Sequence, residues 1–310
     1  NVLSVGDFAF DGPEDMSSLT SLTLGSSIKT IGTYSFNGAT SLASLVIPDS
    51  VTSIGDGAFS NVRSLTSLTL GSGLTSLGNA AFSGATNLTT VTLPDSLTII
   101  GQSVFSGATG MSSINIPDSV TSIGSDAFSY TGLTSVVIPD SVTRIESRAF
   151  YKTPLTSLTL GSSVSTIGYD AFFQTELTSL TIPDSVTSIG GRAFGDTPFK
   201  ALVIGRGLQS ISSVGVEAFL NACETLESVS IDAPEALGRG GSSSGSYTNR
   251  DDESVYYAGY SGLHFGRFYD SQTNYSVAAR RCPKLESITL GDNVVTCLLY
   301  TSPSPRDCLL

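Results

Sequence analysis

Residues 65–82 read Leu-Thr-Ser-Leu-Thr-Leu-Gly-Ser-Gly-Leu-Thr-Ser-Leu-Gly-Asn-Ala-Ala-Phe, and this arrangement returns along most of the chain. Its leading position falls at Leu19, Leu42, Leu65, Leu88, Met111, Leu133, Leu155, Leu177, Phe199, Leu226 and Leu285. The first four steps, from Leu19 to Met111, are equal, and each of the next four is shorter by a single residue. An aromatic column (Phe36, Phe59, Phe82, Phe105, Phe128, Phe150, Phe172, Phe194) follows its leading residue at a constant distance. The change in unit length therefore lies between each Phe and the next leading position. A segment of invariant length is expected to be packed, and one that loses a residue to be a surface turn. The ninth unit, from Phe199 to Phe219, takes longer to reach its aromatic residue than any before it. Its extra residues around Ser212-Ser213-Val214 are expected to bulge from the convex side.

Within a unit, Leu22 and Leu24 alternate with Ser21 and Thr23, as a half-buried strand requires. Gly25, or Pro48-Asp49-Ser50 in other units, then turns the chain. The pair Val51 and Ile54 predicts a second short strand over 51–55, and a single helical turn is expected around 56–60. No unit buries its apolar residues alone, so neighbours must stack and share one core. At about 4.8 Å per stacked strand, eleven units would span roughly 50 Å.

The pattern L-x-S-[LI]-x-[IL]-P-x-S-V-T-x-I-G-x-x-A-F resembles the BspA-like leucine-rich repeat family. Residues 177–194 (LTSLTIPDSVTSIGGRAF) are similar to it at every position, and the resemblance covers 2–231 and 276–296. The expected fold class is an α/β solenoid, a right-handed leucine-rich repeat coil of 22–23-residue units. A concave parallel sheet forms one side; the short strand and the helical turn form the others. The resemblance implies a cell-surface protein that adheres to other cells, host proteins or matrix, and it implies no catalytic residues. The organisation read from the chain is a solenoid over 1–232, an insertion over 233–275, a final repeat over 276–296 and a non-repeat tail over 297–310. That tail reads either as a translated adapter sequence or as a disordered extension. Both ends break inside a repeat, which predicts a fragment of a longer array. No signal segment opens the chain and no anchor closes it, so an extracellular or cell-surface location is an expectation from the family alone.

Composition narrows the function classes. Of 310 residues 14% are charged, against roughly 25% in an average domain, and the net charge is −12. Such a surface repels phosphate backbones, so nucleic acid is not an expected partner. Hydrophobic residues make up 40% and mean hydropathy is +0.19, which excludes wholesale disorder. No apolar run approaches the ~18 residues of a membrane span. One histidine and four cysteines leave little material for metal or nucleophile chemistry; no enzyme activity, metal or cofactor is expected.

Three features are candidates for binding. Outward strand positions, among them Ser67/Thr69, Thr90/Thr92 and Ser113/Asn115, stack into two ladders of small residues along the concave face. They suit an exposed strand, a weak multivalent contact with glycan or matrix protein, or an ice surface matched by hydroxyl rows. The insertion opens with a Gly/Ser linker and continues with Tyr256, Tyr257, Tyr260, His264, Phe265, Arg267, Phe268 and Tyr269. Tyr-rich loops offer rigid contact area at small entropic cost, so this loop is the candidate hot spot for a protein or glycan partner, set against disorder or packing onto the solenoid. Turn acids Asp49, Asp95, Asp118, Asp140 and Asp184 either line a Ca²⁺ row or accept hydrogen bonds from their own turns. Cys223 and Cys282 each precede a leading residue by three, as a disulfide between adjacent coils or as two buried thiols. Asn87 and Asn274 open glycosylation sequons.

Overall fold

A computed structural model describes residues 2–10, 16–208, 218–219, 221–222, 225–232 and 287–290, and these wind as stacked coils with three walls. The Leu-x-Leu alternation makes the first wall. Leu45, Leu68 and Val91 point inward while their neighbours face out. The strands pair in parallel and in register, Ser44–Val46 with Ser67–Thr69 and these with Thr90–Thr92. Further along, Ser135–Val137 pairs with Ser157–Thr159. Ser179–Ile182, Ala201–Ile204, Ser228–Ile231 and Ser287–Leu290 then follow in order. Ser157–Thr159 and Ser179–Ile182 do not pair, and the expected ladder has two further gaps. Around Ser21 and Thr23 no strand forms, and at Ser113/Asn115 only Asn115 bridges to Thr92. At the second gap Asn115 is a poor strand former, and Ile114 is only half-buried.

The second wall is a pair of residues per coil, set by one Ile-type side chain. Ser4–Val5, Thr30–Ile31, Ser53–Ile54 and Ser76–Leu77 form one parallel sheet. Ile99–Ile100, Ser122–Ile123, Arg144–Ile145, Thr166–Ile167 and Ser188–Ile189 form another. Each is followed by a residue that must lie against the previous coil. A Cβ at Gly55 would come within 2.6 Å of the Thr33 nitrogen, so glycine is needed there.

The third wall corrects the expected helical turn. Around 56–60 the chain makes consecutive turns, and Gly57 and Asn61 have left-handed φ of 58° and 61°. A left-handed residue at this interval stops a right-handed helix from propagating. Alternate N–H groups bond within the coil, as Ala58 to the Gly55 carbonyl (3.3 Å). The others reach the next coil, as Phe36 to Ala58 and Phe59 to Ala81 (both 2.8 Å). The corner is thus a third hydrogen-bonded ladder, and the molecule is a parallel-strand β-solenoid. Among the described residues helical geometry is confined to a short 3-10 turn at Met16–Ser18 and to Ala222.

Between the walls the Phe column is continuous. Successive rings from Phe36 to Phe194 are stacked with centroids 5.1–6.0 Å apart, and Phe219 continues the stack at 5.4 Å. All are buried. Such a side chain contributes about 1.5–3 kcal/mol on leaving water, so the column is a principal source of cohesion between coils.

The segment that changes length is not merely a surface turn. It carries a buried column three residues past each Phe, and the column changes character with the unit length. In the longer coils it is Ala39, Val62, Ala85 and Ala108; in the shorter coils it is Thr131, Thr153, Thr175 and Thr197. The longer coils close with a backbone bond from the next leading residue, such as Leu65 N–H to the Val62 carbonyl (3.0 Å). In two of the shorter ones the threonine hydroxyl turns back instead, Thr131 donating to the Phe128 carbonyl (2.8 Å) and Thr153 to Phe150 (2.9 Å), while Thr175 and Thr197 share a hydroxyl–hydroxyl bond (3.2 Å). A buried hydroxyl needs such a partner.

Candidate functional site

The repeat contains two populations of hydroxyl groups. Those one residue past the leading position are tied to the preceding coil: Thr66 to the Ala43 carbonyl (3.1 Å), Thr89 to Thr66 (3.3 Å), Thr156 to Thr134 (3.1 Å). The second wall has the same device in Thr52, Thr75, Thr121, Thr143, Ser165 and Thr187. These side chains staple coil to coil. The outward positions of the first wall differ. Ser67, Thr69, Thr90, Thr92, Ser113 and Asn115 are exposed, and among the described residues none of their side chains makes a hydrogen bond. Val46 and Val137, each 62% exposed, and Val203 join the same row. The face therefore presents uncommitted hydroxyls and methyls in rows, one coil apart, on short runs of paired parallel strands.

Three of the five turn acids accept bonds from the following coil, not from their own turn. Asp49 Oδ1 accepts from Ser72 N–H (2.7 Å), Asp140 from Ser162 N–H (2.6 Å) and Asp184 from Arg206 N–H (2.8 Å). In each case the following unit turns at glycine: Gly71, Gly161 or Gly205. A side chain at Gly71 or Gly161 would strike the preceding proline carbonyl, so only glycine brings the next turn close enough. Ser72 and Ser162 hold the carboxyls of Asp49 and Asp140 below their ordinary range through these bonds. Asp95 and Asp118 precede proline turns and accept no such bond. Among the described residues no group of three or more His, Cys, Asp or Glu is placed to hold a metal ion.

Tyr256, Tyr257, Tyr260, His264, Phe265, Arg267, Phe268 and Tyr269 lie outside the described residues, as do Cys223, Cys282, the Ser212-Ser213-Val214 segment and the 297–310 tail. After the insertion Ser287–Leu290 pairs in register on Ser228–Ile231, so the chain returns to the next rung of the first wall.

Sequence reasoning missed a surface on the third wall. Tyr130, Tyr151 and Phe173 stand on successive coils, Tyr151 stacked on Phe173 at 5.5 Å and edge-on to Tyr130 at 5.4 Å. Arg148 lies over Tyr151 (4.5 Å to the centroid), Arg192 over Phe173 (4.3 Å), and Lys152 near Tyr130 and Tyr151 (5.8 and 5.3 Å). Beneath them runs an alternating column, Asp126, Arg148, Asp170, Arg192, with ion pairs of 3.5 and 3.2 Å. Asp170 is buried, and burial pushes its carboxyl up against the opposing pull of Arg192 and Arg148. Its 3.2 Å contact with Arg192 is an ion pair outside hydrogen-bonding geometry. The signal was readable: one residue past Phe, Ser60, Ser83 and Ser106 give way to Tyr151 and Phe173.

Short parallel strands, one per coil, inward Leu and Phe columns and an outward polar row together define a leucine-rich repeat solenoid. The chain belongs to the BspA-type leucine-rich repeat family, whose model matches in six copies over residues 3–133 and 121–238. It is similar to a leucine-rich repeat protein from Bacteroides ovatus ATCC 8483, at 26% identity and a TM-score of 0.51 over 62% of this chain. That match covers 58% of the other protein, so the chain spans less than two thirds of its length. A leucine-rich cell surface protein from Faecalibacterium prausnitzii A2-165 matches at 23% identity and a TM-score of 0.41, over 74% of this chain and 76% of its own. The T. pallidum leucine-rich repeat protein matches at 27% and 0.42, over 59% and 77% respectively. No curated protein sequence matches the chain. Among the described residues no helix is long and apolar enough to cross a membrane.

Proposed function

We propose that this chain is a non-catalytic recognition module, displayed at a cell surface, that binds protein or glycan through the outward face of the first wall together with the 247–269 loop. One observation carries the reading: the hydroxyls of this face are free, whereas those one residue before them or on the second wall are spent on holding coils together. A scaffold needs the stapling rows and has no use for uncommitted ones. Small side chains on a regular pitch suit a ligand that repeats, with each contact weak and the total raised by multivalency. Membership of the BspA-type family supports the surface location.

The test is a glycan and matrix-protein array read with the intact chain, a 238–275 deletion, and Thr69→Lys/Thr92→Lys. The expected result is binding that falls in both variants while melting of the solenoid is unchanged. Folded protein that binds nothing on either array would overturn the reading in favour of a plain scaffold.

A further inference from the structure

Among the described residues, bonding between coils on the second wall follows one rule and breaks it once. The N–H after each Ile-type residue donates to the Ile-type carbonyl of the preceding coil: Gly55 to Ile31 (2.7 Å), Gly78 to Ile54 (2.8 Å), Gly124 to Ile100 (2.8 Å), Gly168 to Ile145 (2.8 Å) and Gly190 to Ile167 (2.7 Å). Three residues earlier a second N–H does the same, as Thr75 to the Thr52 carbonyl (3.0 Å) and Thr121 to Thr98 (2.8 Å). Neither bond forms between the coils led by Leu65 and Leu88. Gly101 does not reach Leu77, Thr98 does not reach Thr75, and Ser76–Leu77 and Ile99–Ile100 fall in separate sheets.

Two further distances place these coils wider apart than their neighbours. A Cβ on Gly101 would come no nearer than 3.1 Å to the preceding coil, against 2.4–2.7 Å at Gly32, Gly55, Gly78, Gly124, Gly168 and Gly190. The Phe82 and Phe105 rings of the same two coils are 6.0 Å apart, the widest step in the column from Phe36 to Phe194. The sequence supplies a cause. Where other coils carry Val51, Val120 and Val142 or Ile54, Ile123 and Ile145, these two carry Leu74, Leu97 and Leu77. β-Branched side chains favour extended backbone, and leucine lacks that restriction. What spans the second wall here is a pair of side-chain pegs: Ser96 Oγ donates to the Leu74 carbonyl (2.6 Å), and Asn79 Oδ1 accepts from the Gln102 N–H (3.0 Å). The other two walls are laced as elsewhere. Ser67–Thr69 pairs with Thr90–Thr92, and Ala80 and Phe82 donate to the Gln102 (2.7 Å) and Val104 (3.0 Å) carbonyls.

We propose that the boundary between the Leu65 and Leu88 coils is a hinge, at which the solenoid bends by opening and closing its second wall about the intact ladders of the first and third. Motion concentrates where bonding between packed elements is weakest, and a few residues then absorb the change. The bend falls within the outward row, between Thr69 and Thr92, so it resets the curvature of that face.

Two measurements on the full chain test this: hydrogen exchange, and the distance distribution between spin labels carried by non-natural residues at positions 30 and 144. Both positions are exposed on the second wall, one on each side of the boundary. The Thr98 and Gly101 amides should exchange at least about tenfold faster than those of Thr121 and Gly124, while Ala80 and Phe82 stay protected. Leu77→Ile/Leu97→Val installs the side chains of the bonded boundaries; it should slow exchange at 98 and 101 about tenfold and narrow the distance distribution. Leu77→Ile alone, which conserves volume, repeats the comparison should the double variant melt lower. Ser96→Ala/Asn79→Ala removes the pegs and should broaden the distribution. Exchange at 98 and 101 as slow as at 121 and 124 overturns the proposal, as does one narrow distribution shared by the parent chain and every variant. Loss of protection at Ala80 and Phe82 together with Gly101 also overturns it, since the boundary would then be unfolding locally instead of bending.

Discussion

The longer coils and the shorter ones share two walls and one Phe column and differ almost wholly at the third. In the longer coils the corner is small and plain, Ala or Val beneath and Ser or Gly outside. In the shorter ones a buried threonine replaces the aliphatic residue, and three of the four add a ring, Tyr130, Tyr151 or Phe173, while the last keeps Gly195. The comparison separates what the stack requires from what it permits. Inward columns and coil-to-coil bonds are required everywhere; the corner accepts either solution, and so is where this array acquires surface character.

The largest test breaks what both kinds of coil share. Phe82→Ala and Phe150→Ala should each cost about 3–5 kcal/mol, measured by urea unfolding, with hydrogen exchange showing the loss centred on the altered coil. A much smaller effect in one half would mean that the Phe column does not hold both halves alike. Next in size, Thr153→Val gives a shorter coil the side chain that Val62 supplies to a longer one. It leaves the Phe150 carbonyl without its hydroxyl partner and should cost about 1–3 kcal/mol. No loss would show that the two corner types are interchangeable at this position.

The smallest test uses pH. The carboxyl of Asp49 is held below its ordinary value of 3.8 by the Ser72 N–H. Its contribution is therefore complete above the ordinary value and is lost as pH falls through the lowered one. Asp49→Asn should flatten the acid side of the melting-temperature profile. Asp170 works in the opposite sense. Its raised value makes the fold bind a proton more readily, so it favours the folded state as pH falls.

The period of Leu and Phe made the stack, the two strand walls and the outward row at Ser67 through Thr92 legible from the chain alone, because each inward column must recur once per coil. What escaped was whatever depends on the neighbouring coil. Asp49 looked like a local turn acceptor because its real donor, Ser72, lies a full unit away and becomes adjacent only after stacking. The turns at 56–60 looked helical because so short a segment carries no periodicity to contradict it; left-handed Gly57 and bonds to Ala81 decide otherwise. The Thr131–Thr197 column and the Tyr151–Phe173 corner were visible only to a comparison of equivalent positions between units of different length.

Because the difference in unit size sits outside the packed span from leading residue to Phe, genetic crossover between a long and a short unit joins two halves that already fit. Unequal exchange can then lengthen, shorten or shuffle this array in whole steps, each product keeping its Leu and Phe columns and bringing with it the buried Ala, Val or Thr of its own corner.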